Sequence, residues 1–293
     1  MTSTEFSFVV LKTTGNLNCL RHVEWRAILR WFHQFPSERT IDVACGPGIL
    51  TLQIARRGKW ILGVDISGES IRLGKSIASD THLPCAFSVQ DATGLACSRN
   101  RFDAAICSSA LQNMKDPSSV VREMNRVLKL GGRVILTCDS LSFGMPTELA
   151  LAHARRGKVL QYFGREELQS LLEDSGFTVT RARYLLNSNF SDMIFRIGVR
   201  QLWAGWLWIV VSLLAYPFCL LSDVVSRQHD AGHTILMEAT KSSEVRNTWA
   251  QGSVGTTGYA TDASTSRGLV GYSRPTNQPG PRDTAMSCGP KEI

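Results

Sequence analysis

The run Asp42-Val43-Ala44-Cys45-Gly46-Pro47-Gly48 stands between a short apolar stretch and a helical pattern, and three acids stand at regular places around it. Glycine at 46 and 48 lets a backbone approach a ligand closely and take torsions that side chains resist. Alone, such a loop supports at most a nucleotide-like ligand, and a tight strand-to-helix turn explains it equally well. Asp65 ends the next apolar stretch, Trp60 to Val64. A carboxylate there can accept from both hydroxyls of a ribose, and charge-assisted bonds are stronger than neutral ones. A helix cap is its competing role, with Ser67 as the other cap candidate. Asp91 closes a third stretch, Ala86 to Val89, where it could accept from an adenine amino group or simply make a turn.

The elements that must position these residues alternate. Thr40 to Ala44, Trp60 to Val64, Ala86 to Val89, Phe102 to Cys107 and Arg133 to Thr137 read as strands. Ile49 to Arg57, Ser70 to Ser79 and Pro117 to Lys129 read as the helices between them, with Leu130-Gly131-Gly132 as a helix stop and turn. That order means a parallel α/β sheet with right-handed crossovers, which binds ligands outside the carboxyl ends of its strands. Residues 1–39 read as a helical lead-in with Trp25, Ile28, Leu29 and Phe32 at helical spacing, ended by Pro36. Arg165 to Asp174 is a late helix, Phe177 to Arg183 a sixth strand and His233 to Ala239 a last one. The sheet domain runs over 40–241, with an apolar helical insertion at about 193–227. Residues 242–293 are rich in Gly, Ser, Thr, Pro and Asn and read as a disordered tail.

The chain has 293 residues, 43% hydrophobic and 19% charged, with formal net charge +7. These values fit a globular enzyme and exclude a fibrous or wholly disordered chain. The basic excess permits an anionic membrane or nucleic acid as partner without demanding either. Eight cysteines form no C-x-x-C pair and no zinc-type spacing with the six histidines, so no metal is expected. No signal peptide is legible at the N-terminus, and a cytoplasmic location is the expectation.

The ordered set of strand ends resembles the class I S-adenosylmethionine-dependent methyltransferases, in particular the small-molecule group with the quinone and sterol methylases. Asp42 to Gly48 is similar to the family's Asp-x-Gly-x-Gly-x-Gly motif, with Ala44 in place of the first glycine. Phe102 to Gln112 resembles its fourth strand and following turn, Val121 to Gly132 its helix and Gly-Gly turn, and Arg165 to Phe177 its late helix into strand six. The resemblance covers about 38–183 and 232–241. It implies a Rossmann-like, doubly wound, seven-stranded sheet with an antiparallel last strand. It implies S-adenosyl-L-methionine as cofactor, contacted by Asp42, Ala44, Gly46, Gly48, Asp65, Ile66, Asp91, Ala92 and Ser108. A nicotinamide-binding domain is the nearest rival, but Thr51 stands where that fingerprint wants a third glycine.

Methyl transfer from a sulfonium is an in-line displacement, helped mainly by alignment, and needs a base only when the acceptor must lose a proton. Relatives often carry histidine where this chain has Gln112 and Asn113, amides that orient but do not take a proton near neutral pH. His153 and Tyr162 fall in the variable segment that covers the substrate in such enzymes, and complete the catalytic candidates. The Asn/Asp-Pro-Pro-aromatic motif of nucleic-acid amino methylases is not present at Ser108-Ser109-Ala110-Leu111, which argues against DNA.

Gln201 to Ser222 has no charge and, as a helix, about 33 Å of length, enough to cross a bilayer. The antiparallel last strand argues against a crossing, because it would leave that strand on the wrong side. Pro217 suggests a bend or two-helix hairpin, and Arg196, Arg200 and Arg227 flank the segment. Three functions stay open: a methyltransferase on a lipophilic small molecule with peripheral membrane contact, one on a soluble metabolite with this segment as a dimer face, and a non-catalytic membrane-associated relative. Oligomeric state is not legible.

Overall fold

The structure is a computed structural model that describes residues 18–79, 81–200, 205–226 and 230–243. The part of the lead-in before Asn18, the arginine at 227 and nearly all of the 242–293 tail lie outside the described residues.

Seven strands form one sheet in the order β3-β2-β1-β4-β5-β7-β6. They are β1 (Arg39–Val43), β2 (Trp60–Asp65), β3 (Cys85–Val89), β4 (Phe102–Ser108), β5 (Leu128–Asp139), β6 (Phe177–Leu185) and β7 (Thr234–Lys241). The first five run parallel, with Ile41 opposite Leu62 and Ala105, and Ala105 opposite Val134. β7 inserts antiparallel between β5 and β6, Met237 standing opposite both Leu136 and Ala182. The expected seven-stranded fold with an antiparallel last strand is therefore the observed one.

Alternate residues of the central strands face two cores, as the pleat requires. Ala104, Ile106 and Ile135 pack with α1 (Cys19–Phe32), α2 (Ile49–Ala55) and α3 (Gly68–Ser79). Ala105, Cys107, Val134 and Leu136 pack on the other side with α4 (Pro117–Val127) and, through Leu168 and Leu172, α6 (Arg165–Asp174). α5 (Thr147–Gly157), α7 (Asn189–Arg200) and α8 (Gly205–Val225) complete the first layer.

Local chemistry sets the ends. Asn18 caps α1, its side chain accepting from Leu20 N at 3.0 Å. The helix stops at Phe32, before Pro36, and tight turns at Gln34 and Phe35 bridge the gap. Asp116 caps α4 through Ser119 N at 2.9 Å, with Pro117 in the first turn. β5 starts five residues earlier than its sequence pattern predicts. Phe102 pairs with Leu128 and Ala104 with Arg133, so 129–132 bulge out between them. A Cβ on Gly132 would lie 2.7 Å from Lys129 O, so only glycine closes this bulge.

α8 departs from expectation. It is one continuous helix through Pro217, not a hairpin broken there. Pro217 sits on the exposed side, where the carbonyl it leaves unpaired can be solvated, while Ala215 and Cys219 are buried. The hairpin that does form is α7 with α8. Among the described residues no helix is long and apolar enough to cross a membrane. With β7 paired to both β5 and β6, a single crossing by this segment would separate strands of one sheet, so topology excludes the span reading.

Candidate active site

The loop from Ala44 to Gly48 leaves β1 at its carboxyl end and enters α2. Three of its residues take left-handed torsions: Ala44 at φ 58°, Gly46 at 55° and Gly48 at 74°. The glycines have different causes. A Cβ on Gly46 would meet nothing within 4 Å, so its side faces open space. A Cβ on Gly48 would lie 2.2 Å from Cε1 of Phe87, so the structure places Gly48 in helix packing. Ala44 holds a torsion that costs an L-residue about 1–2 kcal/mol.

Asp42 is buried, and Thr51 Oγ1 donates to its Oδ2 at 2.6 Å, tying α2 to β1. Burial raises its pKa to about 7, against the lowering effect of Thr51, with Asp65 adding to the rise. Thr51, noticed in the sequence only as a missing glycine, is thus the partner of the loop's acid. Asp65 ends β2. Its Oδ2 accepts from Gly46 N and its Oδ1 from Ser67 N, both at 2.8 Å. It therefore shapes the loop whether or not it also meets a ligand. Each oxygen keeps a lone pair for a second donor.

A cleft of about 210 Å³ opens over this loop, lined among others by Arg21, Trp25, Asp42, Ala44, Gly46 and Ser108. It lies below the roughly 300–1,000 Å³ usual for ligand sites because α1 roofs it. Four predicted contacts thus meet in one place. Asp65, Ile66, Asp91 and Ala92 are not among its lining and sit along the neighbouring carboxyl ends of β2 and β3. Asp91 is exposed and turns on Thr93, accepting from its N and Oγ1, which holds its carboxyl below the usual range. Ile66 is 72% exposed, a large apolar side chain with no protein cover.

Beyond Ser108 the carboxyl ends of β4 and β5 hold a second group of polar side chains. Glu24 reaches in from α1 and is 4% exposed. Its Oε1 accepts from Ser108 Oγ and Ser109 Oγ at 2.8 Å and from Thr137 Oγ1, and its Oε2 pairs with Arg21 at 2.7 Å. Asp139 ends β5. Burial raises its pKa to about 6, Glu24 adds to the rise, and Arg21 and a hydrogen bond from Gln112 oppose it. His153 Nε2 stands 3.8 Å from Asp139 Oδ2, and its Nδ1 lies 2.9 Å from Tyr162 Oη. Burial lowers His153 to about 4 and raises Tyr162 to about 12, so both are neutral at pH 7.

Aromatic rings pack against this cluster. Phe195 stacks on His233 at 4.0 Å and lies 5.2 Å from His153. Of the five buried side-chain atoms without a hydrogen-bond partner among the described residues, two lie here, Gln112 Oε1 and His233 Nδ1. Buried polar atoms are ordinarily hydrogen-bonded, so these two point to a ligand. Of the four catalytic candidates, the structure brings Gln112, His153 and Tyr162 together. Asn113 is exposed at the end of the turn Leu111–Asn113 and is not part of the group. Sequence reasoning missed Glu24, Asp139 and His233. The Arg21–Glu24 spacing reads as a surface ion pair, and Asp139 lies just past the predicted strand.

A doubly wound sheet with this loop and these strand ends is the class I methyltransferase fold. Residues 41–136 match the family described as a methyltransferase domain. Residues 41–136 thus carry a methyltransferase domain, set in a sheet of the class I fold. It is 34% identical over 143 residues to 2-phytyl-1,4-naphtoquinone methyltransferase of Synechocystis, covering 46% of this chain and 58% of that one. The chain thus spans little more than half the length of that relative. Among solved structures it is similar to a putative sarcosine dimethylglycine methyltransferase from Galdieria sulphuraria, with TM-score 0.57, 15% identity, and 82% and 99% of the two chains covered. It is also similar to Haemonchus contortus phosphoethanolamine N-methyltransferase 2 in complex with S-adenosyl-L-methionine, with TM-score 0.57, 17% identity, and 79% and 59% covered.

Proposed function

We propose that this chain methylates a hydroxyl of a small lipophilic acceptor, of the quinol, polyprenyl, sterol or lipid-like kind, with S-adenosylmethionine as donor. The observation that carries this reading is the cluster of Asp139, Gln112, His153 and Tyr162 at the carboxyl ends of β4 and β5, joined by the Gln112–Asp139 hydrogen bond, the His153–Asp139 approach at 3.8 Å and the His153–Tyr162 contact at 2.9 Å. The cleft residues fit the cofactor: Gly46 leaves its approach open, and Ser108 offers a hydroxyl. Asp65 has free lone pairs for a ribose, and Ile66, Asp91 and Ala92 extend the same edge toward an adenine.

The cofactor, when bound, supplies an electrophilic methyl group. The chain's own residues do the rest. Asp139, ionised above pH 6, takes the acceptor's proton. Gln112 Oε1 and His233 Nδ1 orient polar groups of the acceptor, and Phe195 and the two histidine rings exclude water from it. His153, neutral and held by Tyr162, adds no second cation beside Asp139 to that of Arg21. The name of the Synechocystis relative, with its phytyl-naphthoquinone acceptor, supports a lipophilic substrate. So does the exposed apolar side of α8, which includes Leu213, Leu214 and Phe218. The same side supports a second reading, a soluble acceptor with α8 as a dimer face.

Calorimetric titration with S-adenosylmethionine tests the reading, comparing wild type with Asp65→Asn. Asp65→Ala is a poorer choice because it also removes the acceptor of Gly46 N and Ser67 N. The amide keeps one acceptor and loses the charge, so affinity should fall about 10- to 150-fold, the worth of one charge-assisted bond. No binding by the wild type leaves the non-catalytic function instead. Labelled methyl recovered in the aqueous phase rather than the organic phase of cell extracts overturns the lipophilic acceptor.

A further inference from the structure

A second, larger cavity lies away from this cluster, between α1, β6 and the end of α8. Its volume is about 530 Å³, and four arginines line it: Arg26, Arg30, Arg165 and Arg183. Arg26 and Arg30 stand one turn apart on α1. Arg183 projects from β6 with its guanidinium 5.6 Å from the centre of the Trp31 ring. Among the described residues none of the four forms an ion pair. Burial and the nearby Arg30 push the Arg183 pKa down, with Arg181 adding to the fall and Asp223 opposing it, so the crowding of like charge outweighs the one acid beside it. Of the two acids in the wall, Asp223 is already engaged, accepting from Leu186 N, Ser188 N and Ser191 Oγ. Asp230 is exposed. With four arginines against two acids, the cavity is therefore a basic site with an excess of positive charge.

Its position on α8 decides what answers that excess. Val210, Leu213, Leu214, Phe218, Leu221, Val224 and Val225 recur at helical spacing and are 41–78% exposed. They form one apolar stripe along the outward side of the helix. Val224, at 78%, belongs both to that stripe and to the wall of the arginine cavity. An apolar helix face flanked by arginines matches a bilayer surface, with acyl chains against the stripe and headgroup phosphates against the cations. A dimer contact would need the stripe but would leave the four arginines unanswered.

We propose that α8 and the Arg26, Arg30, Arg165 and Arg183 cavity form a docking site for anionic phospholipid, the cavity taking a headgroup phosphate while the stripe enters the leaflet. This site stands apart from the methyl-transfer reading and holds or fails without it.

The test is sedimentation of the full chain with vesicles of phosphatidylcholine alone or mixed with phosphatidylglycerol. Partition should favour the mixed vesicles and weaken with salt. Arg26→Gln with Arg30→Gln should lower it roughly tenfold to thirtyfold, about one kcal/mol for each arginine near an anionic surface. The control pair Arg99→Gln with Arg101→Gln removes the same charge at the far end of the sheet and should change it less than about twofold. Phe218→Ser with Leu221→Ser should lower binding to both vesicle types. Equal losses from the two arginine pairs overturn the proposal, as does failure of the wild type to sediment. Inorganic diphosphate bound without vesicle partition assigns the cavity to a free anion instead. A dimer seen by light scattering that Phe218→Ser dissolves assigns the stripe to a second copy. Circular dichroism and S-adenosylmethionine titration check that each variant is folded.

Discussion

Replacing Asp139 with asparagine should make the protein more stable and nearly inactive, and both effects follow from one carboxyl. Burial raises Asp139 from 3.8 to about 6. The folded state therefore holds a proton that the unfolded chain has already lost. The stability this contributes is complete below about pH 4 and is lost as pH rises to about 6, after which the penalty is constant. A rise of that size is worth about 3 kcal/mol at most, and the 18% exposure of the side chain reduces this modestly. The amide of Asp139→Asn carries no such penalty and still accepts from Gln112. Urea unfolding of this variant should show a gain of about 2 kcal/mol at pH 8 and almost none at pH 4. Activity should move the other way. At pH 5 only about a tenth of Asp139 is ionised, so wild-type kcat/KM should rise about tenfold from pH 5 to a plateau above 6. Asp139→Asn should lose that limb and fall about 10²- to 10⁴-fold. The assay is transfer of labelled methyl to a catechol carrying a short prenyl tail. Asp42 titrates near 7, so any limb there should survive in the variant, and only the lower limb is diagnostic. A variant that keeps the limb near 6, or loses less than about tenfold at unchanged cofactor affinity, refutes Asp139 as the base.

Thr51→Val keeps the shape of Thr51 but leaves the buried Asp42 carboxylate unpartnered. Denaturation at pH 8 should show a loss of about 1–3 kcal/mol, shrinking at pH 5 where Asp42 is neutral. Gly48→Ala drives a methyl into the Phe87 ring at a left-handed torsion and should cost about 3 kcal/mol, with partial recovery in the double variant with Phe87→Leu. Gly46→Ala meets no neighbour, so thermal unfolding should show only the torsional cost of about 1–2 kcal/mol, while cofactor titration shows a much larger loss.

The sheet was legible because its central strands are buried on both faces and read as apolar runs punctuated by glycine and acid. The cofactor loop was legible for the same reason: loop, Asp65 and Asp91 each close a run, so their spacing records the strand ends. What one face of a helix or one residue beyond a strand contributes was not legible. Glu24 follows Arg21 by three residues on an amphipathic helix, which is what a solvated ion pair looks like. Only the packing of α1 across β4 and β5 turns it inward. Asp139 follows a run that predicts a strand ending at Thr137, and its raised pKa depends on how deeply β5 extends. The α8 segment was misjudged at Pro217 because local propensity gives the cost of a helical proline but not the side it faces.

The placement of α1 ties these sites together. Its residues divide by side: Arg21, Glu24 and Trp25 face the cofactor cleft and the Asp139 cluster, whereas Arg26 and Arg30 face the basic cavity. Cys19 on α1 and Cys219 on α8 are both buried in the same core, so the roof of the cleft rests on the helix that carries the apolar stripe. Arg21 and Trp25 line the cofactor cleft from that roof, so a shift of α1 would change the room left for a ligand. Glu24 opposes such movement, since its carboxylate is bound to three hydroxyls, of Ser108 on β4, Ser109 just past it and Thr137 on β5. A surface that holds α8 and the outer side of α1 therefore acts on the same helix that closes the cofactor site. The expected outcome is that docking and cofactor affinity are coupled through α1, in which case each changes the other by an equal factor. Titrating S-adenosylmethionine with and without phosphatidylglycerol vesicles measures that factor directly, and identical affinities would show that α1 transmits nothing between its two sides.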